Sequence, residues 1–483
     1  MTTRAIARVV ASALAASTLM LVGCSVVPPY HEPSAPVSAT YKEAPQAGAT
    51  WLPAAPADAL DRGPWWTLFS DPTLDQLASQ VEISNQNVAQ AVAAYAQAQA
   101  LVREERAALF PAFTLNGTAR RSGGRGADAI TTNSYAANVG ASWEPDLWGR
   151  LRAGVTSAQA GAQASEADLA GARLSAQAAL VTDYLSLREA DAEIELLQTS
   201  VEGYERSLQI TQNRYAVGVV PKTDVLQAQT VLASARAELA ALRAQRARFE
   251  HAIAVLVGKA PGDFTLVAQP WRATVPGVPL GVPSTLLERR PDVASAERAV
   301  AQANAQIGIQ RSAYFPSVAL SASIGTAGSH LGDLTSASGM LWSLGVSVAQ
   351  TLFDFGATRA RIEQAEAARD AAIARYRQTV LTAFQGVEDQ LASLHWLAEQ
   401  EELRREASAA ADLTEQQILN RYRAGQVSYT DVVTAQVAAF NARRSLVQVA
   451  LARQSSAVAL IQDLGGGWQS PFAPQAAPVA DAR

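Results

Sequence analysis

The chain has 483 residues, 39 Lys and Arg against 44 Asp and Glu, a formal net charge of −5 and 49% apolar residues. That balance excludes a disordered tail, which could not bury enough apolar surface, and a nucleic-acid partner, which needs clustered cations for phosphate. A single cysteine excludes an internal disulfide framework.

In chain order, residues 1–23 read as a lipoprotein signal peptide. Arg4 and Arg8 form its positive end, Val9 to Val22 its apolar stretch, and Leu21-Val22-Gly23-Cys24 its close. The stretch is too short for a membrane-spanning helix, which takes about 20 apolar residues. The closing tetrad resembles the bacterial lipoprotein cleavage signal, which makes Cys24 the candidate lipidation site, carrying acyl chains such as palmitate. The alternative is a free buried cysteine. Several acyl chains anchor far more firmly than one. Ser25 rather than Asp follows, which by the same resemblance favours outer-membrane sorting. Residues 24–70 then read as a lipid-anchored extended segment, Pro-rich from Val26 to Pro64.

The rest of the chain is one unit written twice. Asn213 to Arg236 and Asn420 to Arg443 share 12 of 24 positions at an offset of 207. Ala108-Leu109-Phe110-Pro111 matches Ala313-Tyr314-Phe315-Pro316 at an offset of 205, and Leu147-Trp148-Gly149 parallels Asp354-Phe355-Gly356. The first repeat covers residues 71–258 and the second 291–464. A Pro-rich linker, 259–290, joins them, and a tail, 465–483, follows.

Each repeat opens with a helical segment, 71–109 and 291–313, and then changes period to two. In the hairpin predicted over 111–144, Phe113, Leu115, Gly117 and Ala119 alternate with Thr114, Asn116, Thr118 and Arg120. On its return, Tyr135, Ala137, Val139, Ala141 and Trp143 alternate with Asn138, Gly140, Ser142 and Glu144. The hairpin over 316–352 repeats this with Val318, Leu320, Ala322 and Ile324, then Trp342, Leu344, Val346 and Val348. Runs of about ten residues match tilted membrane-crossing strands. A soluble β-sandwich edge is the bland alternative, and the segregation of aromatic and branched residues to one face argues against it.

Two proline-free runs of roughly 65 residues follow, from Gly149 and from Gly356, long enough for helices on the order of 100 Å. Ile373, Val380, Val387 and Leu394 recur every seven residues, the seam of packed helices. Glycine-containing turns at Gly218 and Gly425 lead into a second helix in each repeat, and Asp224 and Asp431 stand at their starts. Thr and Asp are ordinary helix starters there, capping free amides and the positive dipole end. The functional alternative is a ring of carboxylates around an axis, which selects cations.

Four amphipathic strands cannot stand alone in a bilayer, because two edges would keep unsatisfied backbone groups in hydrocarbon. Two, three or four copies would give barrels of 8, 12 or 16 strands, and the small polar faces (Thr114, Asn116, Asn138, Ser142, Ser343, Ser347) suit a wet lumen.

Several motifs resemble those of TolC-like outer-membrane efflux factors. They are Trp65-Trp66-Thr67-Leu68-Phe69-Ser70-Asp71-Pro72, Trp143 to Arg150, and Leu287 to Val293 with Ala296-Glu297, Ala303-Asn304-Ala305, Ile307-Gly308 and Phe315-Pro316. The lipoprotein signal places the chain in the NodT branch. The resemblance implies a membrane α/β fold: a homotrimer with a 12-stranded transmembrane β-barrel, four strands per chain, continued by a long periplasmic α-helical barrel. It also implies a periplasmic adaptor, an inner-membrane pump of the resistance-nodulation-division type, and passive conduction of small molecules such as drugs to the exterior.

The same resemblance makes Asp431 a pore-lining acid and Asp224 and Tyr422 partners in the closed periplasmic gate. Val427 and Thr434 depart from the family pattern of an aperture Arg and a second Asp. A type I secretion duct and a lipid-anchored coiled-coil scaffold are the alternatives. The four His are scattered and no HExxH, GxSxG or phosphate loop occurs, so no enzyme, cofactor or metal is expected.

Overall fold

The computed structural model describes residues 26–36, 38, 40–43, 64–124, 131–278, 290–336 and 339–466. The signal peptide, Cys24, residues 467–483 and parts of the Pro-rich connectors lie outside them. The elements in order are α1 (Pro72–Ser84), α2 (Gln86–Ala107), β1 (Ala112–Ser122), β2 (Thr132–Trp143), α3 (Arg150–Ala216) and α4 (Lys222–Leu256). The second repeat supplies α5 (Pro291–Arg311), β3 (Ser317–Gly328), β4 (Met340–Ala349), α6 (Ala357–Arg423) and α7 (Tyr429–Asp463). Helices α3 and α6 have 67 residues each and α4 and α7 have 35 each, so from the helix before each hairpin onward (α2 and α5) the two halves match element for element.

Repeats in sequence are not units in space. One unit gathers Met1–Ser34, Ala94–Glu166 and Ser295–Arg377; the other gathers Ala35–Ala93, Ala167–Ala294 and Gln378–Arg483. Each therefore draws on both halves of the chain.

The first unit holds one antiparallel sheet in the order β1-β2-β3-β4. Register aligns the alternation of all four strands. Phe113 faces Ala141 and Leu115 faces Val139 in the first hairpin; Val139 faces Ile324 and Trp143 faces Leu320 between hairpins; Ile324 faces Trp342 and Ala322 faces Leu344 in the second. One face is thus apolar across the sheet and the other small and polar, because a strand's side chains alternate and a shared register keeps them in phase. In the same unit the N-terminal segment lies on α5. Asn304 Nδ2 donates to the Pro28 carbonyl at 2.9 Å, and Tyr30 hydrogen-bonds the Glu297 carboxylate. Gly308 faces Val27 so closely that any Cβ there would collide with it.

The second unit is helical. Its Trp65-Trp66 motif is a packing device. Trp65, Trp66 and Phe69 are buried in a single 3-10 turn, and Trp65 Nε1 donates to Gln177 Oε1 at 3.3 Å. Asp71 caps α1 through the amides of Thr73 and Leu74 and accepts from Tyr184 Oη at 2.5 Å. The helix predicted over 71–109 divides at Asn85. There the backbone is extended, Oδ1 takes the Asn87 and Val88 amides, and Nδ2 donates to the Leu256 carbonyl at 2.8 Å. A side chain that satisfies the next helix's free amides competes with helix continuation, and here it wins. Val380, Val387 and Leu394 of the heptad seam are buried, as is Leu391 beside them.

Charges inside this unit clasp the repeats together. Arg444 on α7 pairs with Glu193 on α3 at 3.1 Å and with Glu238 on α4, while Gln448 Nε2 donates to Glu193 at 3.0 Å. Arg188 and Arg246 share Asp191 at 3.1 and 2.6 Å. Glu189, one turn before Glu193, is also buried. Burial first, and the neighbouring Glu193 carboxylate second, push its carboxyl up to about 8, against the pull of Arg444. The folded chain therefore holds a proton that the unfolded chain releases near 4.5, and stability decreases as pH rises between those values. Glu189→Gln removes this slope. Chemical denaturation at about pH 5 and about pH 8.5 is expected to give a smaller difference between the two conditions in the variant than in the parent.

Candidate functional site

Two surfaces carry functional geometry. On the sheet, Leu115, Ile324, Trp342, Leu344, Val346 and Val348 are exposed on the apolar face. Strands of 10 to 12 residues suit a tilted bilayer crossing. Strands β1 and β4 each pair on one side only, so two rows of backbone donors and acceptors remain open within the chain.

The other surface lies in the helical unit, where two helix–turn–helix tips meet. Both turns are built alike. Gly218 and Gly425 adopt φ of 75° and 73°, the left-handed conformation that ends helices and that glycine adopts without steric cost. Gly218 N donates to Tyr215 O and Val219 N to Arg214 O, both at 2.9 Å. Gly425 N donates to Tyr422 O and Gln426 N to Arg421 O at the same length. These bonds satisfy carbonyls that α3 and α6 would otherwise leave free.

Beyond the turns the two tips diverge. Helix α4 starts at Pro221 without a side-chain cap, and Asp224 sits half-buried in its first turn. Helix α7 starts with a capping box. Asp431 Oδ2 accepts from Ser428 N at 3.0 Å and from Ser428 Oγ at 2.8 Å, while Asp431 N donates back to Ser428 Oγ at 3.4 Å. Asp431 is exposed, and its carboxylate also stands at the positive end of the α7 dipole.

Tyr422 is 4% exposed, whereas its repeat mate Tyr215 is 45% exposed. Lys222 stands at the repeat position of Tyr429, which explains the difference. The Tyr429 ring meets that of Tyr422 edge to face at 5.6 Å, and together with Ala228 and Val432 they form the tip core. Burial, with Tyr422, Tyr204 and Asp224 nearby, pushes the Tyr429 hydroxyl up to about 12.

Arg214 ties the first tip to the second. Its Nη1 donates to the Tyr422 carbonyl at 2.9 Å and its guanidinium lies 4.6 Å from the Tyr422 ring centre. Thr211 Oγ1 and Tyr422 Oη are 3.4 Å apart. The structure thus brings Tyr422, Tyr429 and Arg214 into one cluster with Asp224 at its margin. Among the described residues no hydrogen bond joins Tyr422 to Asp224. Neither Ser428 nor Arg214 is among the residues expected from sequence: the Ser-x-x-Asp spacing is a local signal for the first, while Arg214 has none because its partner lies 208 residues away.

These geometries accompany a clear kinship. The family model described as outer membrane efflux protein matches residues 77–259 and again 282–466, once for each repeat. The chain belongs to that family. It is similar to the toluene efflux pump outer membrane protein TtgC of Pseudomonas putida, at 31% identity over 94% of this chain and 95% of that protein. Similarity to the pyoverdine export outer membrane protein OpmQ of Pseudomonas aeruginosa is 32% over 87% of this chain and 90% of that protein. Among solved structures, the outer-membrane channel OprN superposes with a TM-score of 0.83 at 31% identity, over 92% of this chain and 100% of that one. The protein is an efflux component of the outer membrane, and among its described residues no helix is long and apolar enough to span a bilayer.

Arg214→Ala removes a charge-assisted bond and a cation–π contact from the cluster, worth on the order of 1–2 kcal/mol. Amide hydrogen exchange across Tyr422–Tyr429 is expected to speed up about tenfold, with α1 unchanged.

Proposed function

We propose that three copies of the chain close their sheets into a 12-stranded outer-membrane barrel, with the paired long helices continuing it as a periplasmic tunnel. The observation that carries this reading is the sheet itself: an exposed apolar face, a small polar face and two open edges. In hydrocarbon, open edges leave backbone groups unsatisfied at several kcal/mol each, and closure with further copies removes them. The polar face then lines a wet lumen. A conduit of this kind conducts passively, so cargo choice rests with an inner-membrane pump of the resistance-nodulation-division type joined through a periplasmic adaptor. Relatives named for toluene efflux and for pyoverdine export support a shared channel serving different pumps.

In this reading residues 1–23 are removed, Cys24 carries the lipid anchor, and the segment following it is laid along α5. The two helix tips form the periplasmic aperture, with turns at Gly218 and Gly425. Asp431 supplies a carboxylate ring, and Asp224 and Tyr422 hold the tip closed. The capping role of Asp431 and its role in a ring are compatible, because one oxygen of the carboxylate serves the cap and the residue is exposed.

Planar-bilayer recordings test this. Asp431→Asn keeps an acceptor for Ser428 while removing the charge, so helix α7 stays capped. The variant is expected to lose cation preference and to conduct more than the parent. Unchanged current and selectivity would sink the gate assignment.

A further inference from the structure

The repeat is obeyed by strand register as well as by sequence. Adding 205 to a β1 position and 207 to a β2 position carries the first hairpin onto the second. Ala112 opposite Ser142 becomes Ser317 opposite Ala349, and Leu115 opposite Val139 becomes Leu320 opposite Val346. The contact that closes each hairpin follows the same rule. Trp143 Nε1 donates to the Leu109 carbonyl at 3.0 Å, and Gln350 Nε2 donates to the Tyr314 carbonyl at 3.4 Å.

The junction between hairpins has only one instance within the chain. There β2 pairs with β3, placing Gly140 opposite Ser323 and Ala141 opposite Ala322. Where β2 hands over to α3, Trp148 stacks on Phe315 at 4.9 Å and donates to the Pro316 carbonyl at 2.7 Å. The repeat mates of those two rings are Phe355 and Phe110. Phe355 meets the likewise exposed Phe353 edge to face at 4.5 Å, and Phe355 and Phe110 are 91% and 70% exposed. Phe355 also holds φ at 55°, a left-handed conformation uncommon for an aromatic residue and one that Trp148 does not share.

We infer that β4 of one copy pairs with β1 of the next in the register of the β2–β3 junction, with Phe355 stacked on Phe110 of the partner subunit. Applying the same offsets sets Ser347 opposite Thr118 of the partner subunit, and Val348 opposite Gly117 of the partner subunit. Both pairings keep the faces in phase: Ser347 and Thr118 lie on the polar face, Val348 and Gly117 on the apolar one. Trp342 then stands opposite Gly123 of the partner subunit, as Tyr135 stands opposite Gly328 within the chain. Phenylalanine has no ring donor, so this second junction has the stack of the first without its hydrogen bond to a proline carbonyl. The inference rests on the closed-barrel reading and adds its register and its ring contact.

Paired cysteines in the full-length protein, oxidised in outer-membrane vesicles, provide the test. Thr118→Cys with Ser347→Cys is expected to give a covalent ladder ending at the closed oligomer on non-reducing gels. Thr114→Cys with Ser347→Cys, four residues out of register and about 13 Å away, is expected to stay unlinked because a disulfide reaches about 7 Å between Cα atoms. An intact oligomer that links through position 114 and not 118 would overturn the register while leaving the barrel reading in place. A monomer by light scattering in mild detergent would overturn both. For the rings, Phe355→Leu and Phe110→Leu are each expected to speed oligomer dissociation about two- to tenfold, and the double variant no more than the worse single one. Multiplying effects would overturn the stack.

Discussion

A backbone amide in hydrocarbon needs a partner, and that requirement governs the rest of this protein. Four strands pair among themselves and leave β1 and β4 each with one unpaired row. Their outer face carries leucine, valine, isoleucine and tryptophan in phase across three strand pairings, which a water-facing sheet would not sustain. The small polar residues opposite are the complement of that choice. Taken together, the edges and faces describe a fragment of a barrel, and membership of an outer-membrane efflux family agrees with that description.

Duplication is the economical route to such a fragment. One hairpin with its following long helices, written twice, provides two junctions of related geometry, one inside the chain and one at its boundary. The halves have since diverged where their surroundings differ. Trp148 keeps a hydrogen bond that Phe355 cannot make, and Tyr422 is buried with Tyr429, whereas Tyr215, with Lys222 at the repeat position of Tyr429, stays exposed. Divergence of this kind makes a two-fold repeat into two distinct tips.

The helical unit shows how charge is held in an Ala-rich bundle. Arg444 reaches acids on both helices of the other repeat, and the buried Glu189–Glu193 pair is relieved by a retained proton as well as by that arginine. Removing one partner of a buried pair leaves an uncompensated charge, which is costly, so the loss of Arg444 would be felt chiefly at the buried Glu193. At the tips, Asp431 caps the start of α7, whereas Asp224 stands in the first turn of α4 without a capping bond.

Much of this was legible in one dimension. Period two over 111–144 and 316–352, the proline-free runs, and the glycine turns are local properties, and strands, long helices and left-handed turns formed where they stand. Asn85 escaped that reading although its bonds to the Asn87 and Val88 amides are local; its bond to the Leu256 carbonyl, 171 residues away, has no local signal. Arg214 escaped because its value depends on a tyrosine 208 residues away. Sequence alone determined the elements, the repeat and the two-faced strands, since periodicity and backbone preference are set by near neighbours. Tertiary structure decided the strand register, the asymmetry of the tips and the buried charge clasps, because each depends on groups that only folding brings within hydrogen-bonding distance.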